Sequence, residues 1–310
     1  MNCDMKRSIS LYSYQDEYYD GKLDLEGCLR ETAKTGATGV ELLAEQMIKK
    51  FPLPIETEEF REQWFGWLEK YHLTPSCYDA FLENRIFDNR TLCLGEQINM
   101  MKRDIRLASL LGFHNLRTLV STPMEVIEGS LAYAQQMDVR IGLEVHAPFS
   151  LNSGWADGYM EMIHRTGTKY FGFIPDMGIF CRNIPDVVRD KARRMGASEA
   201  CIRIVDDSYA ERLAKGFTKI KYDLNLGKAN MEYRMANGMK EMMDAIEQAN
   251  GNDADRWYAN ASFTYSWSDP QDIIDNIDYI FHTHAKFYNM HDDYTCLLYT
   301  SPSPRDRSVS

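Results

Sequence analysis

Short runs of apolar and β-branched residues recur along the chain, each followed by a longer stretch with apolar positions at helical spacing. Strands alternating with helices in this way predict repeated βα units and a parallel sheet. Seven runs read as strands: Ser8–Tyr14, Gly39–Leu43, Thr74–Asp79, Leu116–Val120, Ile141–Val145, Phe171–Pro175 and Tyr279–Lys286. The first six recur about every 30 residues, the step of a (β/α)8 barrel. The stretches between them carry helix punctuation. In Thr122-Pro123-Met124-Glu125 the threonine suits an N-cap, the proline the first helical position and the glutamate a capping box. Ile127, Leu131 and Ala134 then keep one apolar face.

Two segments depart from the pattern. The seventh run comes late, and residues from about 197 to 270 read as a helical insertion between strands 6 and 7 rather than one crossover. It suits a lid, a docking surface or extra packing; its methionines, at helical spacing, are expected in the core as gap-fillers. From Cys296 onward, CLLYTSPSPRDRSVS abandons the amphipathic pattern. It resembles a translated sequencing adapter, so residues 296–310 are set aside as a non-native tail. The expected fold is therefore α/β: residues 1–290 form a (β/α)8 TIM barrel lacking its last βα unit. Strands 1 and 7 would then keep unpaired edges, which invite mispairing, so the 310-residue chain is expected to be inactive and prone to aggregate.

Composition narrows the function. A net charge of −11 and a pI near 5.2 repel polyanions, which argues against nucleic acid as a partner. Seven cysteines, at positions 3, 28, 77, 93, 181, 201 and 296, include no CxxC pair and form no disulfide framework. The expected location is the reducing cytoplasm. No run approaches the length needed to cross a bilayer, and the first residues lack a signal-like apolar core.

In a parallel barrel, reactive side chains sit at the carboxyl ends of strands. Three expected strand ends carry ligand-type residues. In Gly142-Leu143-Glu144-Val145-His146, residues two apart share a face, so Glu144 and His146 can enter one site. Asp176 follows directly on an apolar run, and His282, His284 and Lys286 again alternate. Two carboxylates and an imidazole suit a divalent ion, with Mn first and Mg, Co or Zn as alternatives. Glu144 and Asp176 with a histidine of the seventh run are the candidate ligands, and His146 is the expected base, since its ordinary pKa lies near neutrality. Lys286 fits either an acid or clamp on a substrate oxygen or a partner for a carboxylate. His282 fits a substrate contact or support for the metal shell. Tyr12, Tyr14, Glu41, Tyr78, Trp155 and Arg117 lie near other strand ends; of these Tyr12, Trp155 and Arg117 are the expected substrate contacts, the aromatic faces suiting a sugar ring or an aromatic aglycone. His72, His114, His164 and His291 show no ligand spacing.

LEVHAP, PDMGIF and HTHAKFY resemble the fifth, sixth and seventh strand signatures of the sugar phosphate isomerase/epimerase superfamily, the xylose isomerase-like TIM barrels. The resemblance covers the chain to about Met290. It implies a metal held by a Glu, an Asp and a His from these strands, which fall on Glu144, Asp176 and His284, and by a Glu from an eighth strand that has no match here. Together with SLYSYQ at the start, the motifs are most similar to the larger subunit of bacterial C-glycoside deglycosidases. That implies cleavage of the carbon–carbon bond of a 3-keto C-glucoside, with a small β-rich partner subunit. Alternatives are a ketose or inosose epimerase or isomerase and, in a different class, a non-catalytic sugar-binding or scaffold subunit. An apurinic-site nuclease would need a multi-metal cluster, which seven histidines and the acidic charge disfavour. No Gly-rich phosphate loop is present, which favours an unphosphorylated sugar.

Overall fold

The computed structural model describes residues 6–223 and 225–286. Six strands, β1 (Ser8–Ser10), β2 (Gly39–Leu42), β3 (Thr74–Asp79), β4 (Asn115–Thr118), β5 (Arg140–Val145) and β6 (Phe171–Pro175), make one sheet in sequential order. The pairs from β1 to β5 are parallel. Helices α1 (Gln15–Tyr19) and α2 (Leu25–Lys34) join β1 to β2, and α3 (Ala44–Met47) and α4 (Glu58–Tyr71) join β2 to β3. Single helices α5 (Leu94–Leu110), α6 (Met124–Met137) and α7 (Gly154–Thr166) make the next three crossovers. The architecture is α/β, six successive strands of an incomplete (β/α)8 barrel. After β6 come α8 (Asp186–Arg194), α9 (Glu199–Lys215), α10 (Leu226–Ala236), α11 (Met239–Gln248), α12 (Asp253–Ser262) and α13 (Gln271–Asp275). None of the described helices is long and apolar enough to cross a membrane.

The chain divides into two compact units. The first holds residues 6–144 and 162–174, the second residues 145–161 and those described from 175 to 286. In the first, β2 is buried at every position, as expected of a parallel strand covered on both faces. Gly142 in β5 is required by close approach: a Cβ there would lie 2.5 Å from Cδ1 of Ile174 in β6. Helix α4 begins at Thr57, whose hydroxyl accepts the Phe60 N–H, and ends at His72 in the left-handed region (φ 54°). Its buried Trp64 donates an indole N–H to the Leu111 carbonyl at 3.0 Å. His72 is thus a helix terminator.

Several boundaries differ from the sequence reading. The first strand stops at Ser10, where its three-position pairing with β2 ends; Leu11–Tyr14 turns as a 3-10 helix that buries Leu11. Helix α6 has Pro123, not Thr122, at its N-cap, with no side-chain cap bond. The Thr122 hydroxyl lies 2.6 Å from that of Thr118, four residues earlier at the end of β4, ahead of the helix.

The expected strand Tyr279–Lys286 is reduced to a parallel bridge between His284 and Asp176, with Tyr279 closing a 3-10 turn. Residues 281–286 are half-buried or exposed. A segment with two histidines and no buried face gains too little to extend a ladder. The tail at 296–310 lies outside the described residues.

In the second unit, span 197–270 holds α9 to α12. Ser198 caps α9 by accepting the Cys201 N–H. Asp255 of α12 accepts the backbone N–H groups of Ser198 and Asn252, both at 2.8 Å. Asp206 takes Arg189 at 2.9 Å and the Tyr258 hydroxyl at 2.6 Å, tying α8, α9 and α12 together. Of the methionines, Met242 is core, whereas Met231 and Met235 stand half exposed on α10, so the expectation of a wholly buried set holds only in part.

Candidate active site

In the first unit, neighbouring strands bring three charged residues to their carboxyl ends. Asp79 of β3 is the register partner of Arg117 of β4, which in turn pairs with Gly142 of β5, two residues before Glu144. All three charged side chains are buried. The Arg117 guanidinium donates through Nε to Asp79 Oδ1 and through Nη1 to Glu144 Oε2, each at 2.6 Å. Burial by itself would favour losing its proton, but the carboxylates of Asp79, Glu144 and Glu41 override that and hold its pKa above the ordinary value. Arg117 is therefore a fixed cation spanning two acids. It was expected to bind substrate; instead its donors are spent on these acids, because an arginine this buried must be paired.

Glu41, Cys77 and Asp79 also converge, their ligand-type atoms lying within 4.8 Å of one another. Burial, then the Glu41 carboxylate, pushes the Asp79 carboxyl well up, with Arg117 opposing. Burial and the same two acids push the Cys77 thiol up. Arg117 supplies a cation to Asp79, so part of this buried acidic charge is compensated within the unit.

In the second unit, Asp176 directly follows β6 and faces His284 across the parallel bridge. His284 N–H donates to the Pro175 carbonyl and Met177 N–H to the His284 carbonyl, both at 2.9 Å. Directly opposed residues of a parallel pair project to the same side, so a carboxylate and an imidazole stand together. Asp176 Oδ1 accepts the Gly178 N–H at 2.7 Å and Oδ2 accepts Lys286 Nζ at 2.8 Å. Of the two sequence readings for Lys286, this geometry supplies the carboxylate pairing. His282 sits edge-on to His284, ring centres 5.6 Å apart.

His146 lies just past the end of β5. Its Nδ1 is 2.9 Å from the Ala147 carbonyl, and since a carbonyl only accepts, Nδ1 carries the proton and Nε2 the lone pair of the neutral ring. Trp155, an expected ligand contact, is wholly buried between Phe149 and Tyr159 at 4.8 and 5.2 Å; an indole so enclosed packs the core and offers no face to a ligand. Tyr12, in the turn after β1, is 55% exposed. Tyr78 is buried.

The donor chemistry fits a divalent ion. Asp176 and His284 bring an oxygen and a nitrogen donor type together across the bridge. Asp79 was not singled out from sequence. The available signal was an acid closing an otherwise half-buried strand, Thr74–Asp79, in the position that Glu144 and Asp176 occupy on theirs.

Among solved structures the likeness runs to sugar epimerases and xylose isomerase-domain proteins. The D-psicose 3-epimerase of Clostridium cellulolyticum H10 with D-tagatose is 15% identical at a TM-score of 0.43, covering 83% of this chain and 96% of that one. The IolI protein with a bound zinc atom is 16% identical at a TM-score of 0.40, covering 56% of this chain and 63% of that one. No family model matches the chain. In sequence, the chain is 24% identical over 288 residues to the C-glycoside deglycosidase alpha subunit of Arthrobacter globiformis, covering 92% of this chain and 75% of that protein. It is also 24% identical over 289 residues to the 3'-dehydrocarminate deglycosidase alpha subunit of a Microbacterium species, covering 92% and 79%. The chain is thus a sequence relative of deglycosidase alpha subunits, the group its strand motifs resemble.

Proposed function

We propose that this chain is the catalytic subunit of a divalent-metal-dependent deglycosidase that cleaves a 3-keto C-glucoside, a carbon–carbon lyase reaction. The observation that carries the reading is the bridge pairing of Asp176 with His284, which sets a carboxylate beside an imidazole. Similarity over 92% of the chain to deglycosidase alpha subunits supports the substrate class and a partner subunit. Asp176 and His284 would hold the ion, Mn first among the candidates; the addition of Glu144 rests on the LEVHAP motif. When bound, the ion polarises the sugar carbonyl and so acidifies the adjacent C–H bond.

His146 is the proposed base. Its Nδ1 is committed to the Ala147 carbonyl, leaving Nε2 to take the proton from the carbon between the keto carbon and the C-glycosidic carbon. The electron pair of that C–H bond becomes a carbon–carbon double bond as the bond to the aglycone breaks, and the leaving carbon takes a proton. Lys286, positioned by Asp176 at 2.8 Å, is the proposed donor of that proton. His282 and the exposed Tyr12 are proposed substrate contacts.

The test is Mn content together with turnover of a 3-keto C-glucoside and of a ketohexose, for the 310-residue chain and for Asp176→Asn. Mn bound by the chain and lost in the variant is the expected result, and Mn-dependent aglycone release would in addition overturn the expectation that the 310-residue chain is inactive. Ketose epimerisation alone would move the assignment to the epimerases, and sugar binding without turnover to a scaffold subunit. Equal Mn content in the variant would overturn the ligand assignment.

A further inference from the structure

We propose that Glu41, Cys77 and Asp79 form a buried zinc site in the first unit, one that ties β2 to β3 and differs in donor chemistry from the Asp176–His284 pair. The sheet itself assembles the donors. Glu41 and Cys77 are register partners on β2 and β3, and directly opposed residues of a parallel pair project to one side. Asp79 lies two residues beyond Cys77 on the same strand and shares that face. The register shifts between Val40, opposite Pro75, and Glu41, opposite Cys77, so Ser76 is an extra residue on β3. Without this bulge Glu41 would meet Ser76, and the thiol would fall on the other face. Bulges re-aim side chains in this way.

The thiol and carboxylate atoms of the three residues all lie within 4.8 Å of one another. All three residues are buried, Cys77 completely. Arg117 bonds Asp79 Oδ1, while Asp79 Oδ2 is buried with no hydrogen-bond partner among the described residues. The Glu41 carboxylate approaches the same group, and two carboxylates adjoin favourably only with a proton or a cation between them. A shared proton leaves the thiol idle; a thiolate-binding divalent ion uses all three donors. Zinc takes Cys sulfur at about 2.3 Å and carboxylate oxygen at about 2.0–2.2 Å, so donors around one ion stand roughly 3.5 Å apart, inside the observed limit. Thiolate selects zinc over Mn and Mg. On binding, the Cys77 thiol and any protonated carboxyl release their protons to solvent as the ion takes their place.

The experiment expresses the 310-residue chain in cobalt-containing medium, so that an enclosed site fills as the chain folds, and reads bound cobalt and the near-ultraviolet thiolate-to-cobalt absorption band. Cys77→Ser, Asp79→Asn and Asp176→Asn are compared with wild type. Wild type is expected to carry the band, and excess zinc in the medium to abolish it. Cys77→Ser should lose the band, and Asp79→Asn should hold the ion about tenfold or more weakly in chelator competition, since even an outer-shell loss costs that much. Asp176→Asn should keep the band, so failure of the Asp176–His284 reading does not move this one. No bound cobalt, cobalt without the band, or a band that survives in Cys77→Ser would each overturn the site. Asp79→Asn, nearly isosteric, decides if Cys77→Ser does not fold: wild-type affinity there removes Asp79 from the site and the proposal with it.

Discussion

Glu144 in the first unit and Asp176 in the second are both acids at a strand end, and each carries a cation on one oxygen. The cations differ in what surrounds them. The Arg117 side chain is 10% exposed and shared with Asp79, whereas that of Lys286 is 50% exposed and pairs with Asp176. Removing the buried arginine strands two acids that water cannot reach, while removing the exposed lysine leaves Asp176, itself buried, with the Gly178 N–H on its other oxygen. The same pairing is thus a structural requirement in one unit and an adjustable contact in the other. A lysine free to move suits proton delivery; a locked arginine suits alignment.

The largest effect should come from Arg117→Met, which leaves Asp79 and Glu144 buried without their cation and should cost about 3–5 kcal/mol in denaturant unfolding. A loss under 1 kcal/mol would erase the contrast between the units. Next is Asp104 on α5, a buried acid with a partner on one side only, Arg103. Burial, opposed by Arg103, pushes its carboxyl up to about 6. The raised folded pKa favours the neutral acid, so its contribution is best below the unfolded value and is lost as pH rises through 6. Asp104→Asn should therefore gain about 3 kcal/mol at pH 8 and nothing near pH 4. A pH-independent difference would contradict this. In the second unit, Ser198→Ala removes the cap of α9 and should cost about 1 kcal/mol in the same unfolding assay. Lys286→Met should cost the least, about 1 kcal/mol or less, and its effect should shrink in high salt; a salt-insensitive loss of several kcal/mol would make Lys286 as locked as Arg117.

Where a segment is an apolar run bounded by turn-formers, its limits were legible: β3 and β6 span the residues their sequence pattern marks. At Thr122 the pattern misleads. The threonine meets every local requirement of an N-cap, yet its hydroxyl lies beside that of Thr118, four residues earlier, and helix α6 starts one residue later. Trp155 was read as a ligand contact, yet helical spacing sets Tyr159 of the same helix on its face, and Phe149 from the preceding loop completes the enclosure. The seventh run carries strand-like residues but no buried face, and pairs at one position.

By itself the sequence determined the α/β alternation, the order of βα units and the residue types available at strand ends, because side-chain periodicity records which face each local element buries. Only the tertiary structure decided how those residues are paired: Arg117 with Asp79 and Glu144, 38 and 27 positions away, and Lys286 with Asp176, 110 positions away. The reason is register. Which side chains meet across a sheet depends on how separate strands align, and that alignment is set by packing over the whole unit rather than by any residue's neighbours in the chain.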